Sequence, residues 1–299
     1  MKRVLSGELK QHAGKQVEVR GWLNNLRAKG KINFLIVRDR AGLIQVIVQA
    51  PEVLAKISSL QPGSILRIRG TVALAENASL GAELIDPEID VEVPIHEVPA
   101  IEYYKPEIPS DLEHILDHRP IALRNRKLQA VFKIQAELVH AYRLFMHDQA
   151  GAVEYFAPNI LGASSEGGAE FFNVDYFGYP ATLAQSSQLY KQIMVGVNER
   201  VFALMPFFRA EPSHTPRHLS EGKQFEFEMG FFEDWREVMD LQEACLKFML
   251  RYLHEKCREE IEQLGGTIVA APEDVPFPRI TFQEAQELFF QLTGIDERQ

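Results

Sequence analysis

Apolar and polar positions often alternate through residues 16–24, 32–38, 43–49, 64–74 and 83–93, and most of the apolar ones are β-branched. Period-two alternation bounded by Gly, Asn, Asp or Pro predicts five short strands. The segments "DRAG" and "QPGS" supply turn chemistry between them. Five strands within the first 100 residues predict a small Greek-key barrel of the OB type. Ile32, Phe34 and Ile36 fall on one strand face, which reads Phe34 as core. The same aromatic, between Lys31 and Arg38, is also placed to stack a base of a single-stranded nucleic acid.

Beyond the fifth strand the alternation stops. The stretch "VPIHEVPAIEYYKPEIPSD" carries prolines at 94, 99, 106 and 109, which stiffen a connector and remove ladder donors. A domain boundary is therefore expected near 100–120, with a barrel over 1–100, a linker over 101–125 and a second domain over 126–299. In that domain the period changes to three and four. Leu128, Val131, Phe132, Leu138, Val139, Tyr142 and Phe145 predict a helix over 127–148. Val238, Leu241, Cys245, Phe248, Tyr252 and Ile261 predict another over 235–264. Strand patterns near 153–157, 170–177, 181–184, 200–210 and 223–232 complete an α+β domain with a largely antiparallel sheet.

Composition narrows the class. The chain has 299 residues, 46% hydrophobic and 25% charged, and no apolar run approaches the ~20 residues of a membrane span. The opening "MKRVLSGELK" lacks the apolar core of a signal peptide. Cys245 and Cys257 share one helical pattern, which argues against a disulfide or metal pair and for a reduced, cytoplasmic protein. Net charge is −10, yet residues 1–50 hold ten Lys or Arg against three acids, leaving −17 for the remainder. A basic module on an acidic body suits a phosphate backbone; a solvated charged face has the same composition.

The densest chemistry lies at "FFRAEPSHTPRHLSE", residues 207–221. Strand-like "VFALMPFFRAE" and "KQFEFEMGFFED" flank the loop "PSHTPRHLSEG", with Arg209 closing the first and Arg217 inside the loop. Guanidiniums keep their charge and present forked donors that match phosphate oxygens. Two of them around one loop can grip a polyphosphate and neutralise charge that builds during displacement at phosphorus. Glu211 could accept from an amino group or a ribose hydroxyl. An exposed ion-pair hairpin would use the same residues.

The pattern "FRAE…T.RHL.E…E.E" resembles motif 2 of the class II aminoacyl-tRNA synthetases, in the aspartyl/asparaginyl branch and closest to its archaeal-type aspartyl members. Other stretches agree in order. "GWLNNLRAKGKINFLIVRDRAGLIQVIV" resembles that branch's anticodon-binding OB-fold. "DHRPIALRNRKLQAVFKIQAELVHAYRLFM" with "GAVEYFAPNI" resembles motif 1, including Pro158. "SSEGGAEFF" is similar to the mobile loop over the amino-acid pocket, and "QSSQLYKQ" to a substrate-reading strand. Several long motifs in order are far more specific than one.

The resemblance implies roles residue by residue. Arg209 would hold the α-phosphate of ATP and the activated carboxylate, and Glu211 the adenine or the terminal adenosine of tRNA, with Ala210 between them. Arg217 and His218 would meet the β- and γ-phosphates, with Leu219 beside the nucleotide. Glu166 would take the α-ammonium of the amino acid, and Gln188, Leu189, Tyr190 and Lys191 would line its pocket. Lysine at 191 would select L-aspartate, because an ammonium pairs with a carboxylate and cannot accept from an amide NH₂. Phe34 and Gln45 would read the anticodon, reversing the core reading of Phe34. Motif 1 would build a homodimer. ATP is the implied second substrate and Mg²⁺ the implied metal.

Two departures follow from the same comparison. Gly222 stands where the branch carries an aromatic that stacks on adenine, and Phe225 is the candidate substitute. Nothing matches motif 3 before the chain ends at "TGIDERQ". The metal-binding acids and the motif 3 arginine are therefore expected in a C-terminal segment, with no metal site inside these residues. On that reading the 299-residue chain makes little adenylate. Asparagine–tRNA ligase and a non-catalytic tRNA-binding paralogue are the alternatives.

Overall fold

Register decides which side of each strand meets the core. A computed structural model of the chain describes residues 2–29, 32–78, 80–163, 170–213, 215 and 218–296, which fall into two compact units, Met1–Gln129 and Ala130–Gln299. In the first, β1 (Gln16–Lys29), β2 (Ile32–Arg38), β3 (Leu43–Val48), β4 (Ile65–Leu74) and β5 (Ala82–Val93) close a barrel in the order β1-β2-β3-β5-β4. All neighbours are antiparallel except β3 and β5. A short helix α1 (Pro51–Ile57) joins β3 to β4, with proline in its first turn where no amide donor is needed.

Leu23, Leu35, Val37, Ile44, Val46, Leu66, Ile68 and Leu84 fill the barrel and are almost wholly buried. Leu35 and Val37 take the inward positions of β2, so Ile32, Phe34 and Ile36 face outward and are half-buried. The core reading of Phe34 is thereby corrected. Both faces of "INFLIV" are apolar, so alternation gives the period but not the phase, and a one-residue shift exchanges the faces.

The proline-rich segment is packed rather than loose. Ile101, Tyr103 and Ala122 are buried together beneath α2 (Leu112–Asp117) and α3 (Arg119–Ala122). The buried Asn125 amide donates to the carbonyls of Tyr103 at 2.8 Å and Lys105 at 2.7 Å. Its oxygen accepts from the Lys127 amide at 2.9 Å, at the start of α4 (Arg126–Asp148).

The second unit is organised by a long hairpin. β10 (Arg200–Phe208) and β11 (Glu221–Met229) pair from Arg200↔Met229 to Phe208↔Glu221, and the short β6 (Val153–Glu154) lies parallel to β10. A smaller sheet has the order β7-β9-β8, from Ile160–Leu161, Tyr179–Leu183 and Asn173–Tyr176. One hairpin face, with Phe202 and Phe227, packs on Tyr142, Phe145 and Met146 of α4 and on Cys245 and Met249 of α6 (Trp235–Lys256). The other face, with Val201, Ala203 and Met205, packs on Tyr155 and on Tyr190, Met194 and Val195 of α5 (Gln188–Asn198).

Two expected elements differ. "QSSQLYKQ" enters a helix, α5, rather than a strand. Tyr190, Met194 and Val195 recur at helical spacing and place one stripe on β10. The helix expected over 235–264 breaks at Cys257, whose φ of −120° and ψ of 21° leave the helical region before α7 (Arg258–Gln263) resumes. Nothing in the local sequence marks that break. The capped helix read from Thr281 and Glu284 is present as α8 (Phe282–Thr293), and Gly294 closes it with a left-handed φ of 74°. Cys245 and Cys257 are buried free thiols. No helix among the described residues is long and apolar enough to cross a membrane.

Candidate functional site

Strand parity builds the site. Val201, Ala203, Met205 and Phe207 of β10 pair with Glu228, Glu226, Gln224 and Gly222 of β11, so these residues share the hairpin face that looks toward α5. Along α5, Gln188 and Lys191 are one turn apart and lie on the same side. Ser186, Gln188, Lys191, Gln224 and Glu226 line one open cleft of about 350 Å³, with Phe225 and Phe227 at its edge. Leu189 and Tyr190 do not line it, because the helical turn carries Leu189 to solvent and Tyr190 into the core beside Val201.

A buried charge pair sits at the cleft floor. Lys191 Nζ lies 3.1 Å from Glu226 Oε2, and the two side chains are 13% and 6% exposed. Ser187, just ahead of α5, donates from Oγ to the same Oε2 at 2.6 Å. Tyr155 OH lies 2.5 Å from Ser187 Oγ. Serine has one proton and the carboxylate takes it, so tyrosine is the donor in that second bond. Burial pushes the Tyr155 hydroxyl up to about 12, with the Ser187 bond opposing, which keeps it protonated. Behind the strand, Tyr142 OH donates to the Glu226 carbonyl at 2.7 Å. Glu226 Oε1 is buried and has no hydrogen-bond partner among the described residues. An unpaired buried acceptor is costly, and a carboxylate oxygen at the floor of a cleft invites a cationic donor.

The arginine side of the site lies at the open end of the same hairpin. Arg209 follows β10, is exposed, and holds its guanidinium 5.6 Å from the Phe207 ring. Its amide donates to Ser220 O at 3.0 Å, tying the two ends of the loop. Ala210 N donates to Glu170 O at 3.1 Å. Glu211 is partly exposed and Leu219 is 65% exposed. His218 Nδ1 lies 2.5 Å from Thr215 Oγ1. Glu166 and Arg217, both assigned from sequence, lie outside the described residues.

This geometry agrees with the family comparisons. A family model described as tRNA synthetases class II (D, K and N) matches residues 111–299. A second, an OB-fold nucleic acid binding domain, matches residues 17–93. The chain belongs to the class II tRNA synthetases. It is 40% identical over 292 residues to the aspartate–tRNA(Asp/Asn) ligase of Thermus thermophilus, covering 98% of this chain and 67% of that protein. It is 35% identical over 288 residues to the aspartate–tRNA(Asp) ligase of Pyrococcus horikoshii, covering 93% and 64%. Among solved structures, asparaginyl-tRNA synthetase from Pyrococcus horikoshii complexed with asparaginyl-adenylate superposes with a TM-score of 0.87 at 30% identity, covering 99% and 68%. The chain thus spans about two thirds of the length of these relatives.

Within this synthetase domain, Phe225 does not replace the missing aromatic at Gly222. Three residues along a strand reverse the face, and Phe225 packs edge-on to Tyr142 with centroids 4.7 Å apart. Phe207 lies over Gly222 instead: a Cβ built there would meet Phe207 Cζ at 2.6 Å. Sequence reasoning also missed Glu226, Ser187 and Tyr155. The visible signal was the carboxylate pair Glu226 and Glu228 threaded through aromatics in "FEFEM".

On the barrel, Phe34 and Gln45 share the outward face, since Phe34 pairs with Ile47 and Ile36 with Gln45. Arg27, exposed, pairs with Phe34 from the other side. Gln45 donates to Glu83 at 2.7 Å. Not all of the local positive charge is available: Arg38 is buried, 4.6 Å from the Trp22 ring centre, and Arg20 is held by Glu18 at 3.0 Å. Burial disfavours ionised Glu18, and Arg20 and Arg69 outweigh it, holding the carboxyl below its usual range.

Proposed function

We propose that the chain carries the anticodon-binding part and much of the catalytic part of an aspartate–tRNA ligase. Residues 1–100 take the tRNA anticodon through Phe34 and Gln45, residues 101–125 connect, and residues 126–299 bind L-aspartate and ATP. The observation that carries the reading is Lys191 beside Glu226 at the floor of the cleft, 3.1 Å apart. An amino acid entering there can offer its α-ammonium to Glu226 Oε1 and its side-chain carboxylate to Lys191. Arg209, on the same face, receives the α-carboxylate and the α-phosphate. Glu211 and Leu219 then flank the nucleoside, and His218 with Arg217 the outer phosphates.

The chemistry requires no protein nucleophile. The substrate carboxylate attacks the α-phosphorus in line and pyrophosphate leaves; positioning and charge neutralisation lower the barrier. The 3′-terminal hydroxyl of tRNA then displaces the nucleotide from the acyl group. Mg²⁺ would assist by neutralising phosphate charge. Among the described residues no three acid, histidine or cysteine side chains converge as a metal site. A homodimer through motif 1 is supported by exposed Val131 and Phe132 on α4 and by Phe156, 82% exposed. A cytoplasmic location accords with the two free thiols.

Asparagine–tRNA ligase is favoured by one observation: Lys191 already has a counter-charge in Glu226, so an amide ligand does not leave a bare cation. A non-catalytic tRNA-binding paralogue is favoured by Gly222. ATP–pyrophosphate exchange by the full-length gene product, with aspartate and asparagine measured side by side, separates all three. Aspartate-dependent exchange is expected; preference for asparagine, or no exchange with either, overturns the proposal.

A further inference from the structure

We infer that Ser187 and Tyr155 are positioning residues that divide the labour of the two Glu226 oxygens, locking Oε2 inward so that Oε1 is offered to the ammonium of the bound amino acid. The inference rests on reading the cleft as the amino-acid pocket. Three observations carry it. Oε2 accepts a hydrogen bond from Ser187 Oγ at 2.6 Å and is ion-paired with Lys191 Nζ at 3.1 Å. Oε1 receives none among the described residues, although it is buried. The serine in turn is oriented by Tyr155 OH at 2.5 Å. Ser187 and Tyr155 are 3% and 5% exposed and lie outside the cleft lining, so Ser187 acts on Glu226, and Tyr155 on Ser187, rather than on ligand.

The asymmetry matters because a carboxylate can rotate about its last torsion, which has a broad energy profile. Lys191 alone could be followed by either oxygen. A hydroxyl fixed by a second hydroxyl cannot follow a rotating carboxylate, so the chain Tyr155→Ser187→Glu226 defines one orientation. Preorganised polar groups cost no reorganisation when the ligand arrives. The role differs from that of Lys191: the lysine supplies charge to the ligand, whereas serine and tyrosine supply only direction. It also gives Ser187 a function at the entry to α5, where its side chain makes no cap bond.

The test is calorimetric titration of the 299-residue chain with L-aspartate and with succinate, which has both carboxylates but no ammonium. Ser187→Ala is expected to weaken aspartate about tenfold, the size of one charge-assisted hydrogen bond, while leaving succinate within about twofold. Ser187→Thr keeps the hydroxyl and is expected to restore aspartate binding. Tyr155→Phe leaves the serine its own proton and should weaken aspartate by about threefold, less than Ser187→Ala does. Circular dichroism melts report whether each variant folds; should Ser187→Ala not fold, the Thr and Phe variants carry the comparison. Equal loss of aspartate and succinate would overturn the positioning role, as would unchanged aspartate affinity in Ser187→Ala and Tyr155→Phe. No aspartate binding by the unsubstituted folded chain overturns the pocket reading itself, and the inference with it.

Discussion

The ring of Phe207 lies over the α-carbon of Gly222, its cross-strand partner, and occupies the space that any side chain at 222 would need. The two positions therefore form one steric unit: a large residue on β10 requires glycine on β11. The ring sits on the cleft-facing side of the hairpin, with the Arg209 guanidinium 5.6 Å from its centre. If Arg209 binds phosphate as proposed, the Phe207 ring beside it is where the nucleotide base would stack. On the proposed function, Phe207 would supply from across the ladder the aromatic that is missing at Gly222.

Phe207→Ala is expected to weaken ATP binding by about 5- to 150-fold, the range for removing one base-stacking aromatic. Phe207→Tyr should leave binding nearly unchanged. Gly222→Ala should destabilise the fold, since its Cβ would collide with the ring. The double variant Phe207→Ala, Gly222→Phe should recover both stability and ATP affinity, giving a large coupling energy in a double-mutant cycle. ATP titration and thermal melts on all four proteins decide this; additive effects would show that the two positions act independently.

The outward setting of Phe34 separates binding from folding on the barrel. Phe34→Ala is expected to cost under about 1 kcal/mol of stability, whereas Leu35→Ala, one residue on and fully buried, should cost ~2–5 kcal/mol. Phe34→Ala should weaken binding of an anticodon stem–loop, and affinity should fall steeply as salt rises. Unfolding of Phe34→Ala without a separate binding defect would return Phe34 to the core.

These residues show where sequence is legible. The five barrel strands were readable because each is short, rich in β-branched residues and closed by turn residues, and the hairpin because two strand patterns flank one polar loop. Phase was not readable at Phe34, where both faces of β2 are apolar. Helix α5 is legible in the spacing of Tyr190, Met194 and Val195, against the strand that the resemblance implies. In the site, Arg209 and Lys191 stood out by chemistry and motif. Glu226, Ser187 and Tyr155 come from β11, the start of α5 and the end of β6, and only the fold brings them together.

Acid should loosen a strap on α6. Lys247, the Phe277 amide and Arg279 all donate to Glu243, and these bonds, that of Lys247 foremost, hold its carboxyl at about 2, below its ordinary 4.5. A depressed carboxyl stabilises the folded state above its unfolded value, and that stability is lost as pH falls through the folded one. Glu243→Gln should therefore be less stable than the parent at pH 7, and the difference should vanish as pH drops from about 4.5 toward about 2. Denaturant unfolding of both proteins across that window is the measurement; a difference independent of pH would mean that the ionised form is not what matters.

Lys191 ties specificity to stability. The resemblance gives Lys191 a role in selecting aspartate, and the geometry adds a role in stability. Glu226 is 6% exposed and its counter-charge is Lys191 at 3.1 Å, so removing the lysine strands a buried carboxylate, a loss of ~3–5 kcal/mol for a broken buried pair. Lys191→Ala should therefore lower the melting temperature as well as eliminate aspartate activation. Lys191→Ala with Glu226→Gln removes both charges and should regain much of the stability, because a neutral amide is cheaper to bury than an unpaired ion. That double variant should still fail to activate aspartate, since neither the ammonium nor the side-chain carboxylate finds its partner. Recovery of stability without recovery of aspartate-dependent pyrophosphate exchange in the full-length protein is the expected result. Full aspartate activity in Lys191→Ala would show that the lysine is structural and that the substrate's side chain is read elsewhere.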